Sequence, residues 1–401
     1  MNILITDGEN RSSLVTCRSL GRRGHNIFVS GKDHRNISSS SAFCRKYYKV
    51  TDPSHDVVAY ANDLLEIVDR ESIEVVFPMT EQSIYCLNRI RSEISEQAIL
   101  ACALSEKMEA VSNKYKLFQL AEHLGVEIPH TVFVENYSDY QEKRKMVISF
   151  PVVVKPSFSK LLVGGKILSG SVMYAHDADE LDRLYEKMAI LDRPSLIQEM
   201  IVGEGAGLFT LFDGDKHLVL FSHRRLLEKP PSGGVSVLSE SVAIDNGIVE
   251  AARKLLTHVG WQGVAMVEFK RDIRDGRAKL MEINGRFWGS LQLAVSAEVD
   301  FPTLCLDYYL GKKPASLFAD YRVGQRLKWH LGILDHLIIR VKKGDRNLNL
   351  PPGTPGIAHV MSELICFNDG RTSYDVYDCK DKRPFYTELM NYIKNILGSK
   401  Q

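Results

Sequence analysis

GVAMVEFK at 263–270 and AKLMEINGR at 278–286, joined by RDIRDGR at 271–277, read as the two strands of a β-hairpin. Asp275-Gly276 is the strongest two-residue turn signal in the segment. Side chains alternate faces along a strand, so Glu282 and Asn284 point the same way. Pairing about that turn places Glu268 opposite Glu282, within one bulge of register. Like charges directly across a strand pair destabilise it, and apolar neighbours such as Met266 and Leu280 make an unpaired charge costlier still. A cation resolves the conflict. Two carboxylates and an amide carbonyl form an all-oxygen set without His or Cys, which suits Mg2+, or Mn2+ in its place, and not zinc. From the hairpin alone, ion pairs with Lys270, Lys279 or Arg286 account for the glutamates equally well.

Strand signals extend upstream. GLFTLF (207–212) and HLVLFS (217–222) form a hairpin across DGDK, PVVVK (151–155) and SLIQEM (195–200) are further strands, and residues 247–259 suit a helix. Ser112 and Asn113 can cap a helix with Leu117, Leu120, Ala121 and Leu124 on one face, closed by Gly125. Lys114 then lies in its first turn, against the helix dipole. An anionic partner nearby would explain it, and so would a solvated lysine.

At the N-terminus, NILIT (2–6), NIFVS (26–30), IEVVFP (73–78) and AILACAL (98–104) alternate with helical stretches, a βαβ pattern over 1–110. The loops 7–12, 30–33 and 78–81 fall at one sheet edge, where such sheets bind ligands. The DGENR turn reads equally as ligand contact or as an exposed helix entry. A G-x-G-x-x-G fingerprint is missing after the first strand, which excludes a dehydrogenase reading. Walker A, H-E-x-x-H and Ser-His-Asp patterns are missing too.

The 401 residues predict two to four packed units. Fifty-one basic against fifty acidic residues leave a net charge of +1, so no overall field draws in nucleic acid or an anionic membrane. Seven cysteines without a C-x-x-C pair, and an N-terminus with no export pattern, make a soluble cytoplasmic protein the expectation.

MEINGRFWGS (281–290), preceded by VEF (267–269), resembles the magnesium-binding end of ATP-grasp enzymes, in which an acidic residue and then E-x-N bind the metals. VVVKP (152–156) resembles their phosphate-contacting strand, and LIQEMIVGEG (196–205) their adenine hinge. The order is right, and the resemblance covers nearly everything from 1 to about 315. It implies an α/β and α+β chain of the carboxylate-amine ligase type, with a carbamoyl-phosphate-synthase-like ATP-grasp domain. The implied parts are a Rossmann-like pre-ATP-grasp domain at 1–110, a small subdomain with the phosphate loop at 111–190, a large subdomain with the metal site at 191–320, and a C-terminal α/β extension at 321–401.

The resemblance also implies site roles. Lys114 and Lys155 would touch phosphate, Glu199 with Met200 and Ile201 would bind adenine, and Glu204 would hold the ribose. Glu268, Glu282 and Asn284 would hold magnesium, with Arg286 steadying the transferring group. Gly164, Gly165 and Lys166 stand where the family closes a glycine-rich loop over phosphate, although KLLVGGKILSG (160–170) carries bulky apolar residues. SHRRLLEKPPSGGVSV (222–237) resembles the carboxylate-substrate region, with Gly233, Gly234 and Ser236 in its loop. Arg224 or Arg225 would grip the carboxylate, and alternation turns only one of them inward. His223 reads as structural. The implied reaction is ATP-dependent activation of a small carboxylate as an acyl phosphate, then amide formation with an amine. A carboxylate-thiol ligase and a non-catalytic ATP-binding module are the alternatives. The role of 321–401 stays open between completing the site, covering it and pairing two copies as a homodimer.

Overall fold

The computed structural model describes the backbone of all residues except 148, 159, 164–165, 315, 349, 351–352, 366–368 and 399–401. The first sheet is parallel, in the order Cys44–Lys49, Asn26–Gly31, Asn2–Ile5, Val75–Phe77, Ile99–Leu100. Its edge strand, CRKYYK, is half-exposed and charged, which protects an open edge and hides the strand from a search for apolar runs. At the loop edge Glu9 accepts from the backbone N–H groups of Lys32 (2.6 Å) and Asp33 (3.1 Å), so the DGENR turn is tied to its neighbouring loop.

A second, antiparallel sheet has the order Met173–Ala175, Val152–Pro156, Ser195–Glu199, Thr131–Val134. Its helices Tyr137–Lys143 and Ala178–Lys187 cover one face, where Tyr140 and Tyr185 stack at 3.9 Å. The boundary expected at 190/191 is corrected here. Ser195–Glu199 pairs with both Thr131–Val134 and Val152–Pro156, so it completes the small sheet rather than opening the large one.

The third sheet has seven strands, in the order Ala278–Asn284, Gln262–Asp272, Gly203–Asp213, His217–Lys229, Val235–Ser241, Arg326–Lys328, Thr372–Tyr374. Its last two strands lie beyond 320, so the C-terminal stretch extends the large sheet instead of forming a separate layer. The same stretch returns to the first helix, Arg11–Arg22, through pairs of Arg11 with Asp375, Arg18 with Asp381 and Arg22 with Asp378. The first and third sheets share a core in which Leu4 and Phe28 belong to one buried cluster with Leu208, Phe212 and Trp261. At Gly285 a Cβ would sit 2.3 Å from the Trp261 ring and 2.8 Å from Met108, so only glycine allows that packing beside Asn284.

The C-terminal helix Arg383–Gly398 docks through Glu388, which accepts from the Trp329 indole N–H at 2.8 Å, while Arg11 lies 3.9 Å over the Trp329 ring. Burial, with the nearby Asp375 charge, pushes the Glu388 carboxyl up to about 7 against the pull of Trp329 and Arg11. A carboxyl raised in the folded state binds its proton more tightly there. Its contribution is complete below the unfolded value of 4.5 and is lost as pH rises through about 7. Wild type should therefore lose stability relative to Glu388→Gln between about pH 5 and pH 8, by about 3 kcal/mol at roughly 1.4 kcal/mol per pKa unit. Urea midpoints of the two proteins across that range check it.

Candidate functional site

A cavity of about 1000 Å3 lies between the small and large sheets. Val153, Lys155 and Gln198 face it from the small sheet, Glu268, Lys270 and Glu282 from the large one, and Glu199–Gly203 closes one end. Gly203 is where the chain crosses from sheet to sheet. A Cβ there would meet the Arg271 carbonyl oxygen at 1.8 Å, and its φ of +157° lies at the edge of the range side chains avoid.

Glu268 and Glu282 are directly paired across the hairpin, with a register shift between Glu268 and Phe269. On the other side Glu268 pairs with Gly207 and Lys270 with Gly205, so the face that carries them has no side chains on the next strand. Asn284 donates to Glu282 Oε1 at 2.8 Å and accepts from Arg286 at 3.2 Å. The ion-pair partners differ from those the hairpin suggested. Glu268 is gripped by Arg225, and Lys114 Nζ lies 3.8 Å from Glu282 Oε2, whereas Lys279 serves Glu199 (3.1 Å) and Asp272 (2.9 Å). The Lys270 side chain makes no hydrogen bond or ion pair with a described residue, and burial lowers its pKa.

The electrostatics are those of a desolvated charge cluster. Burial raises the Glu268 carboxyl, with Arg225 opposing and Glu282 reinforcing the shift. For Glu282 burial is outweighed by Lys114, the Asn284 hydrogen bond, Lys155 and Arg286, which together hold it ionised. Lys155 is buried over the Phe118 ring at 5.5 Å, and desolvation brings its ammonium down to about 8 despite the Glu282 charge. No group of three or more His, Cys, Asp or Glu side chains placed to hold a metal ion occurs among the described residues, so an ion here would rest on two carboxylates and the Asn284 amide.

The arginine left open by alternation is settled by register. Arg224 pairs with Ala206, which also pairs with Phe269, so it shares the outer face; it lies 3.6 Å from Glu204 and 3.5 Å from Glu240. Arg225 faces the cavity, donating to Glu268, to Glu228 (3.0 Å) and to the Gly234 carbonyl (3.1 Å). Two expectations need correcting. Arg224 does not line the cavity, and neither does Glu204, which pairs with Arg271 in register and so projects from that same outer face. Glu199 lines the cavity, but its carboxylate is occupied by the His130 N–H (3.0 Å), Lys279 and Arg274 (2.7 Å).

Lys114, Met200, Ile201, Gly233, Gly234, Ser236, Asn284 and Arg286 also line the cavity. Gly164 and Gly165 lie outside the described residues, and of Lys166 only the backbone is described, in the strand Lys166–Ser169 opposite Lys160–Val163. Gln198 was missed in the sequence. Its Nε2 donates to Thr131 Oγ1 at 3.0 Å, while its buried Oε1, on the cavity wall, has no partner among the described residues. Its signal was its place before Glu199, on the strand face shared with the paired Val153. His223, buried and stacked on Phe209, holds Ser290 Oγ at 2.8 Å on the cavity wall, a structural role.

A family model described as ATP-grasp in the biosynthetic pathway with Ter operon matches residues 217–330, and one described as PylC-like, N-terminal domain matches residues 3–102. The chain is 22% identical over 212 residues to a D-aspartate ligase of Enterococcus faecium, covering 50% of each chain; it spans about half the length of this curated relative. Among solved structures it is similar to an L-amino acid ligase from Bacillus licheniformis (TM-score 0.59, 17% identity, 79% of this chain and 75% of that one). It is also similar to the biotin carboxylase domain of a Hydrogenobacter thermophilus 2-oxoglutarate carboxylase, determined with MgADP and bicarbonate (TM-score 0.62, 15% identity, 81% and 73%).

Proposed function

We propose that this chain, which has the ATP-grasp fold with a PylC-like N-terminal domain before it, is an ADP-forming ligase that joins a small carboxylate to an amine. One observation carries the reading: Glu268 and Glu282 face each other with Asn284 beside them, in a cavity whose other end holds the unpartnered Gln198 acceptor and the hinge. The donor set fits Mg2+ with nucleotide phosphates, and the ion would neutralise charge on the transferring phosphoryl group.

The chain's own groups then divide the work. Lys114, 3.8 Å from Glu282 Oε2, and Lys155 bring positive charge to the phosphates beside the carboxylates. Gln198 Oε1 accepts from the 6-amino group of adenine, and the backbone of Met200 and Ile201 reads its edge. Arg225 turns from Glu268 to the substrate carboxylate, with Gly233, Gly234 and Ser236 shaping that end of the cavity. A carboxylate oxygen attacks the γ-phosphorus, and the bond to the bridging oxygen breaks with ADP leaving on the electron pair; Arg286 steadies the group in transit. The amine nitrogen then attacks the acyl carbon. Phosphate leaves with the C–O electron pair, and the amine proton passes to water. Six described cysteines are free thiols and no described helix is long and apolar enough to cross a membrane, in keeping with work in the cytoplasm.

The test is purified protein with Mg-ATP, pooled carboxylates and hydroxylamine. Carboxylate-dependent ADP and hydroxamate support the reading, and nucleotide binding without ADP release under any pool overturns it. Gln198→Leu should raise the KM for ATP by about tenfold, the worth of one buried hydrogen bond, and narrow the preference for ATP over ITP, whose 6-oxo group cannot donate. Steady-state assays with both nucleotides check it.

A further inference from the structure

A second cavity, of about 490 Å3, adjoins the first and meets it at Arg225, Glu268, Lys270 and the loop 232–234. Its far wall is built by the C-terminal region: Arg326 on the last strand but one of the large sheet, His336 on the helix His330–Lys343, and His359 on the helix Ile357–Ile365. His336 is 1% exposed, and its Nδ1 lies 2.6 Å from the Glu228 carbonyl oxygen. A carbonyl only accepts, so Nδ1 carries the hydrogen. In the neutral ring Nε2 is then a lone-pair acceptor. That Nε2 is buried, in a side chain that lines the cavity, and has no partner among the described residues. A carboxylate has no hydrogen to give it. An amine has. Arg326 Nε is a second polar atom without a partner among the described residues, in a side chain of the same wall, and a donor that an acceptor elsewhere on the ligand would satisfy.

We propose that this second cavity binds the amine substrate, with His336 Nε2 accepting from the ligand, so that the C-terminal region supplies the acceptor site to the reaction centre at Arg225. The inference rests on the ligase reading above. The volume admits a molecule of amino-acid size, and Leu227, Leu238 and Phe269 give it an apolar flank.

The test compares two nucleophiles on the full chain: hydroxylamine, small enough to reach an acyl phosphate directly, and an amino acid drawn from a pool of protein amino acids as the amide-forming substrate. His336→Asn keeps a donor for the Glu228 carbonyl and deletes the Nε2 acceptor. It should raise the amino-acid KM by about tenfold or more and leave the KM for ATP and the hydroxamate rate unchanged. His359→Trp, placed on the exposed rim, should narrow the cavity and give the same split without disturbing the core. Hydroxamate formation with an unchanged amino-acid KM in both variants overturns the inference while the ligase reading stands. Parallel loss of hydroxamate and amide in both variants also overturns it. Absence of hydroxamate from wild type overturns both.

Discussion

Glu282→Gln is expected to lower ADP formation by about 10^3-fold or more while leaving the fold intact. The carboxylate is the better prepared of the pair: Lys114, the Asn284 amide, Lys155 and Arg286 hold it ionised against its burial, whereas Glu268 is tied to Arg225 and raised by its surroundings. Glutamine keeps an oxygen to accept from Asn284 Nδ2, now at 2.8 Å, and so preserves the local hydrogen bond. What it removes is the charge. In the ligand-free protein that charge faces Glu268 across the strand pair, but Lys114, Lys155 and Arg286 outweigh the repulsion and hold the Glu282 carboxyl below its ordinary value, so the charge adds modestly to stability at neutral pH. The variant should melt at or slightly below the wild-type temperature and stay cooperatively folded, so that the loss of ADP formation is separable from any loss of fold. A coupled ADP assay beside a thermal melt measures both, and a variant with normal ADP release would remove Glu282 from the metal site.

Much of this site was legible because strand alternation is a local rule. The pairing of Glu268 with Glu282 follows from sequence spacing to within one bulge, and the register shows the pair with a bulge beside it. The turn was misjudged. Asp275-Gly276 predicts a two-residue connection, yet the chain closes a longer loop in which the Gly276 N–H bonds the Asp272 carbonyl at 2.8 Å. The reason is Asp272, fully buried and held by Arg274 and Lys279, which fixes the strand end two residues early. Long-range partners were not legible. Arg225 reaches Glu268 across 43 residues, and its choice over Arg224 depends on the register of a third strand. The region after 320 was opaque for the same cause. Its strands have three residues each, too short for a period to show, and what holds them comes from the other end of the chain.

That anchoring predicts the largest stability effect. Arg18 is 2% exposed, and its guanidinium donates to Asp381 Oδ2 and to the carbonyls of Val376 and Asp381, each at 2.9 Å. Asp381 accepts further from Ser41 Oγ (2.6 Å) and the Ala42 N–H (2.9 Å), so one buried ion pair joins the first helix, the 38–42 loop and the C-terminal region. Arg18→Met matches the length of the stem but leaves a buried carboxylate without its cation and two carbonyls without donors. Breaking such a pair from one side costs about 3–5 kcal/mol, mostly the penalty of the stranded charge. Asp381→Asn should cost less, because the single amide oxygen can take the place of Oδ2 and still accept from Ser41 Oγ and Arg18 Nε, losing only the Ala42 N–H. In the double variant the stranded charge is gone, so its loss should be smaller than the sum of the two single losses. Urea midpoints for the four proteins close the cycle, and trypsin digestion locates the damage. Early cleavage should fall within 330–398 if the pair docks that region, since helices released from Arg18 also lose the Arg11 and Arg22 contacts beside it. A midpoint shift below about 1 kcal/mol for Arg18→Met would show that the apolar contacts of the sheet edge suffice to hold the region in place.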